Sequence, residues 1–228
     1  MSFTGIPNGS DQPDQSDQSD QPDQSDQPNR KLFVGDAGQN LWEEVSTVEN
    51  GGNYGRNVRE GTHWFSTANP SEEPGPDECP KKVTSGPRAD EDEELLDPVI
   101  EYRHRRSTTA PIDGSVVIGG SVYDDSAVGG IREKYVFGNW SGDGVIRPDG
   151  EIFAATPPSP QDESDLWSIE EPRIAETDNG RLNRYVLAFG RDDDGELSVL
   201  TTENFTPTGG TGAVHRLVSP EDAEGSSR

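Results

Sequence analysis

Apolar residues in this chain come in short runs, and no segment sustains the i, i+3, i+4 stripe of an amphipathic helix. That pattern confines the chain to strands. The runs are Lys31–Val34, Glu43–Val48, Pro98–Tyr102, Ser115–Tyr123, Tyr135–Trp140, Glu151–Ala155, Arg184–Phe189, Glu196–Thr202 and Ala213–Val218. They are rich in Val, Ile, Tyr and Phe and bounded by Gly, Pro, Asp or Asn. β-Branched and aromatic side chains fill a pleated surface, while Gly, Pro, Asn and Asp supply the backbone angles of turns. The pattern predicts an all-β chain of about nine or ten strands. Arg191-Asp192-Asp193-Asp194-Gly195 reads as the turn between two of them.

Two stretches break the rhythm. Residues 62–97 show no clear strand and contain Pro70, Pro74, Pro76, Pro80 and Pro87 beside an acidic run. A loop that long in a compact domain is usually functional or disordered. A second polar insert covers Pro157–Asn179. Propeller blades take roughly 40–45 residues each, so the rest suffices for about three or four. A sandwich accommodates the same strands, and periodicity alone does not choose between the two.

Residues 11–28 repeat a three-residue unit of Asp, Gln and then Pro or Ser, with Asp at 11, 14, 17, 20, 23 and 26. The repeat holds no apolar residue to offset ordering entropy, so residues 1–29 are expected to be a disordered tail and 30–228 the folded unit. Charge divides the same way. The chain carries 44 acids against 19 bases, net −25. The six acids of the tail leave 38 acids and all 19 bases in 30–228, net −19. Only four of those bases are Lys. Many acids with few Lys suggests a surface suited to high salt, where screening removes self-repulsion. The charge argues against a nucleic-acid backbone or an anionic membrane as partner. No apolar run approaches the ~18–20 residues of a membrane span, no secretory apolar region follows Met1, and the localisation stays open. The single cysteine, Cys79, excludes an internal disulfide and a thiolate metal cluster.

One block narrows the choice. Gly35-Asp36-Ala37-Gly38-Gln39-Asn40-Leu41-Trp42-Glu43-Glu44-Val45, followed by Gly51-Gly52-Asn53-Tyr54-Gly55, resembles a signature of the glucose/sorbosone dehydrogenase family. That family includes soluble quinoprotein sugar dehydrogenases and hedgehog-interacting proteins. Further blocks follow in the family's order. They are Arg59-Glu60-Gly61-Thr62, Asp97-Pro98-Val99-Ile100-Glu101-Tyr102, Gly119-Gly120-Ser121-Val122-Tyr123, Tyr135-Val136-Phe137-Gly138-Asn139-Trp140, Gly150-Glu151-Ile152-Phe153 and Gly212-Ala213-Val214-His215-Arg216-Leu217. The resemblance implies a six-bladed β-propeller, of which residues 31–218 match only the C-terminal part, about three to four blades. The N-terminal blades with the family's catalytic histidine have no counterpart, which implies a truncated or split member whose missing blades come from another polypeptide.

The resemblance also implies chemistry: oxidation of a sugar hydroxyl, with hydride passed to pyrroloquinoline quinone (PQQ) and Ca²⁺ assisting. The first block supplies oxygen ligands of the kind Ca²⁺ takes, and the candidates are Gly35, Asp36, Gln39, Glu43, Glu44 and Tyr54. The competing reading makes Glu43 and Glu44 an ordinary alternating strand pair. PQQ is a tricarboxylate and needs cationic partners. Quinone-binding relatives place a lysine where this chain has Asn139-Trp140-Ser141. Arg56, Arg103, Arg105, Arg106 and Arg147 are the available bases, with nothing in the sequence to fix them at a pocket. No catalytic residue is assigned. His63, His104 and His215 read as structural or solvated, and Cys79 as an orphan thiol, either inert or paired between chains. A sugar is the substrate the family implies. The alternative function is a non-catalytic binding propeller with 62–97 as its contact surface. No nucleophile elbow, dinucleotide fingerprint or EF-hand loop occurs. Sequons stand at Asn8, Asn139 and Asn204.

Overall fold

The computed structural model describes residues 2–5, 30–56, 58–72, 82–83, 93–104, 113–142, 147–175, 177–206 and 208–221. In chain order the strands begin with β1 (Ser2–Gly5), β2 (Arg30–Asp36), β3 (Trp42–Val48), β4 (Arg59–Glu60), β5 (His63–Trp64), β6 (Lys82–Val83) and β7 (Glu93–Glu94). They continue with β8 (Ile100–His104), β9 (Asp113–Gly114), β10 (Val117–Tyr123), β11 (Lys134–Asn139) and β12 (Glu151–Thr156). The last four are β13 (Ser168–Glu170), β14 (Tyr185–Arg191), β15 (Leu197–Thr202) and β16 (Ala213–Arg216).

Three principal sheets follow one another along the chain. The first has the order β1-β2-β3-β8-β9, the second β10-β11-β12-β13 and the third β14-β15-β16. Pairing within them is antiparallel except for β8 with β9. Two ribbons, β4-β5 and β6-β7, stand apart from the sheets. The all-β expectation therefore holds, as an unclosed succession of sheets of the kind a partial propeller contains.

The second sheet lies between the other two, and its sequence records this. On β11, Tyr135 and Phe137 pack with Phe33, Val45, Ile100 and Tyr102 of the first sheet. Val136, between them, packs with Val186, Leu197 and Val199 of the third. On β12, Phe153 and Ala155 face the first sheet's cluster, while Ile152 and Ala154 face the third's. A strand buried on both faces is apolar at every position, which is why Tyr135–Phe137 and Ile152–Ala155 do not alternate. Phe33 stacks on Tyr135 with ring centroids 4.6 Å apart, joining the first two sheets.

Each of the nine expected runs supplies a strand, with ends moved by a few residues. The structure adds short strands that the apolar pattern does not announce. Residues 62–97 contain β5, β6 and β7, and the polar insert contains β13, whose neighbour Trp167 packs edge-on against Phe33 at 5.7 Å. Ser2–Gly5, assigned to the tail by composition, pairs as β1 along β2. The Asp-Gln repeat at 11–28 lies outside the described residues, as do Cys79, Arg105 and Arg106. The acidic turn after β14 forms as expected. Asp192 Oδ1 accepts from the Asp194 and Glu196 N–H groups at 3.1 and 2.9 Å, and Gly195 takes φ 94°.

Candidate functional site

The β2–β3 connection is organised by one carboxylate from β4. Glu60 accepts from the backbone N–H groups of Gln39 at 2.6 Å, Leu41 at 2.7 Å and Trp42 at 3.2 Å. The Asn40 N–H points at both of its oxygens, at 3.3 and 3.4 Å. Four successive amides thus converge on an anion, as in a backbone nest, with a side chain as the anion. A Cβ at Gly38 would overlap the Trp42 carbonyl, so the turn closes this tightly only around glycine.

Beside this turn is a cavity of about 260 Å³, bordered by Asp36, Glu44 and Glu60 and by Arg56 and Arg59. Asp36 and Glu44 are register partners across β2 and β3, so their side chains share a face. Glu44 accepts from the Gly61 N–H. Burial pushes its carboxyl up to about 8, against the opposing pull of that bond and of Arg59, so it is protonated at neutral pH. Gly61 has φ 61° and lies under two carboxylates, Glu44 and Glu101. Arg59 is buried and donates to Asp97 Oδ1 and the Leu96 carbonyl, both at 2.7 Å. Arg56 is exposed and lies 3.5 Å from Asp36.

The six candidate ligands read from sequence are divided among several places. Asp36, Gln39 and Glu44 border the cavity. Glu43 follows the strand's alternation to the other face. It is fully buried there, with Oε1 2.5 Å from His104 Nδ1 and Oε2 accepting from the Val117 N–H at 2.8 Å. Gly35 pairs with Val45 and faces Val117. Tyr54 ties the far end of the hairpin, donating to the Thr47 carbonyl at 3.1 Å and accepting from the Glu49 N–H at 2.8 Å. Among the described residues no group of three or more His, Cys, Asp or Glu side chains is gathered to hold a metal.

The residues that shape the cavity most, Glu60 and Arg59, belong to a block that the sequence marks without assigning it a role. Two adjacent charged residues on a two-residue strand, followed by a glycine, were the available signal. The histidines all have partners. His63 lies 3.1 Å from Glu101 Oε1 and stacks on Trp42 at 3.8 Å. His104 meets Glu43, and His215 Nε2 lies 2.9 Å from Thr201 Oγ1. The Arg103 guanidinium sits 4.5 Å from the Trp42 ring centroid.

A second buried polar knot ties the β9–β10 connection to the ends of β11 and β12. Asn139 Oδ1 accepts from the Ser115 and Val116 N–H groups at 2.8 and 3.1 Å. Its Nδ2 donates to the Ser141 carbonyl at 2.8 Å and to Glu151 Oε2 at 2.9 Å. The amide nitrogen is thus committed and buried, which removes this sequon as a glycan acceptor in the folded chain. Burial raises the Glu151 carboxyl to about 7 despite Arg181 at 2.8 Å.

Comparison with known proteins adds a distant relationship. No protein-family model matches the chain, and no solved structure does. Among curated proteins it is similar to the HIPL1 protein of Arabidopsis thaliana, with 26% identity over 192 residues. The match covers 81% of this chain and 24% of that protein, so the chain spans about a quarter of its relative's length.

Proposed function

We propose that the chain is part of a glucose/sorbosone dehydrogenase-like β-propeller and does not itself oxidise a sugar. The family reading is supported by the distant similarity to HIPL1 along most of the chain. It is also supported by motif blocks that fall, in order, on β2–β3, β4, β8, β10, β11, β12 and β16. The inactivity rests on the family's catalytic histidine, which has no counterpart among the matched residues; His63, His104 and His215 lie instead on β5, β8 and β16, beside Glu101, Glu43 and Thr201. Abstraction of a proton from a sugar hydroxyl needs a base within reach of the substrate.

The cavity beside the β2–β3 turn gives the cofactors implied by the family little support. A tricarboxylate quinone would meet three acidic residues at the cavity against two arginines, of which Arg59 is bonded to Asp97 and the Leu96 carbonyl and Arg56 lies 3.5 Å from Asp36. Ca²⁺ takes six to eight oxygens, several of them anionic. Glu60 is bonded to the backbone amides of Gln39, Leu41 and Trp42, Glu44 to the Gly61 N–H, and Asp36 lies beside Arg56, so the described residues do not gather a set of ligand oxygens at the cavity. No step through either group is derived. Further blades would come from another polypeptide, and a sugar would bind the completed ring.

The test is reconstitution with PQQ, CaCl₂ and glucose in molar salt with a redox dye. The expected result is neither dye reduction nor a shift of the quinone absorbance. Glucose-dependent reduction would overturn the reading. The binding-module alternative predicts the same silence, and differs by requiring that deletions within 62–97 abolish capture of a protein partner.

A further inference from the structure

The first and second sheets turn from apolar to polar along the faces they pack together. On the first sheet, the register pairs Val45 with Ile100 and then Glu43 with Tyr102. On the second, it pairs Phe137 with Phe153 and then Asn139 with Glu151. Cross-strand partners share a face, and so do residues two apart on one strand. Val45, Ile100, Phe137 and Phe153 belong to one core cluster, so all four pairs point in between the sheets. Glu43, Tyr102, Asn139 and Glu151 are buried there. The Tyr102 ring meets Phe153 edge-on across the interface, with ring centroids 5.4 Å apart.

One member of this polar layer lacks a partner. The Tyr102 hydroxyl is buried and has no hydrogen-bond partner among the described residues. Burial first, and then the charges of Glu43 and Glu151, hold it well above the ordinary phenol range, so it keeps a proton to donate. A buried donor left unpaired costs its full desolvation. Asn139 is not the acceptor, because its oxygen already takes the Ser115 and Val116 N–H groups. The carboxylates have room. The Glu43 oxygens each have one partner, His104 Nδ1 and the Val117 N–H. The Glu151 oxygens each have one as well, Arg181 and the Asn139 amide. A carboxylate oxygen accepts two bonds, so both groups retain capacity. Neither lies within bonding distance of the hydroxyl itself. A single small molecule that accepts from the phenol and donates to both acids would complete all three.

We propose that one buried water lies between the Tyr102 hydroxyl and the carboxylates of Glu43 and Glu151 and bonds the first sheet to the second. It accepts from Tyr102 and donates to one oxygen of each carboxylate, about the number of bonds an internal water makes. The occupant is water and not a cation. A cation would leave the phenol hydrogen without an acceptor, and it would approach carboxylates already paired with His104 and Arg181. Water is thereby a fixed part of the packing between the sheets. This inference does not depend on the sugar-dehydrogenase reading.

A crystal structure of the full chain tests it directly. The expected result is one spherical density peak about 2.7–3.0 Å from the Tyr102 hydroxyl and from an oxygen of each carboxylate. No peak, a peak that misses either carboxylate, or a peak ringed by oxygens at the cation distance of about 2.3–2.6 Å would each overturn the proposal. Urea unfolding of Tyr102→Phe gives a second reading, whose sign decides. The substitution removes the hydroxyl alone and keeps the ring that meets Phe153. With the water in place, the variant leaves it one partner short, and the unfolding midpoint falls below the parent's. If the hydroxyl has no ligand, its loss relieves a buried unpaired donor, and a midpoint that holds or rises would overturn the proposal.

Discussion

Glu60 carries more of the local architecture than any other side chain around the cavity. Its carboxylate accepts from four consecutive amides, and it is buried. Glu60→Ala removes a charged acceptor and leaves buried N–H groups unpaired, a loss of about 2–4 kcal/mol. Urea unfolding should show a lower midpoint for this variant, with Glu60→Gln falling between it and the parent. Glu44 makes the opposite kind of contribution. Its carboxyl titrates near 8 in the folded chain and near 4.5 when free. Between those values the folded state holds a proton that the unfolded state has lost, so stability is full below about 4.5 and falls as pH rises toward 8. Glu151 adds a slope of the same sign up to about 7. Glu101 works the other way, since its bonds to His63 and Thr62 outweigh burial and lower its titration, so its contribution is lost as pH falls. Glu44→Gln should therefore flatten the decline in melting temperature between pH 5 and 8, with a ceiling of about 5 kcal/mol set by the size of the shift. A variant whose profile parallels the parent's would exclude the protonated carboxyl.

At the scale of elements, the β10–β11 pair contains a register shift between Ile118 and Ser121. Gly120 sits within it, donates to the Tyr135 hydroxyl at 2.9 Å, and approaches so closely that a Cβ would overlap the Val136 carbonyl. Gly120→Ala should cost more than about 2 kcal/mol, because the overlap is with backbone that cannot rotate away. Thermal melting checks this, with Gly129→Ala as the control, since nothing lies near that position. The sequence reveals such elements unevenly. The long strands are visible because burial on one or both faces leaves a run of Val, Ile, Tyr and Phe. The two-residue strands are too short to leave a pattern, and the β4–β5 turn is held instead by carboxylates reaching across 17 to 39 residues, as Glu44 does to Gly61 and Glu101 to Thr62. The candidate site was legible to the same extent. Alternation alone separates Glu43 from Glu44, but the meeting of Glu60 with the 39–42 amides depends on where the β4–β5 ribbon packs. No local signal carries that.

At the scale of the whole molecule, charge and fold are coupled. The folded region holds a net −19, yet several of its acids are inside: Glu43, Glu44, Glu60 and Glu151 are buried, with hydrogen-bond partners that salt does not reach. What remains on the surface still holds many more acids than bases, concentrated in places such as Asp192–Asp194 and Glu170–Glu171. Screening should relieve that repulsion. The Debye length falls from about 8 Å at 0.15 M to about 3 Å at 1 M, so most of the gain arrives below ~1 M. Exclusion of salting-out ions from the surface instead grows steadily with concentration and differs between chloride and sulfate. The expected melting curve therefore rises by several degrees up to about 1 M NaCl and then levels, with KCl giving the same curve. A melting temperature flat below that concentration and rising linearly above it would mean that excess surface charge is not what limits the stability of this chain.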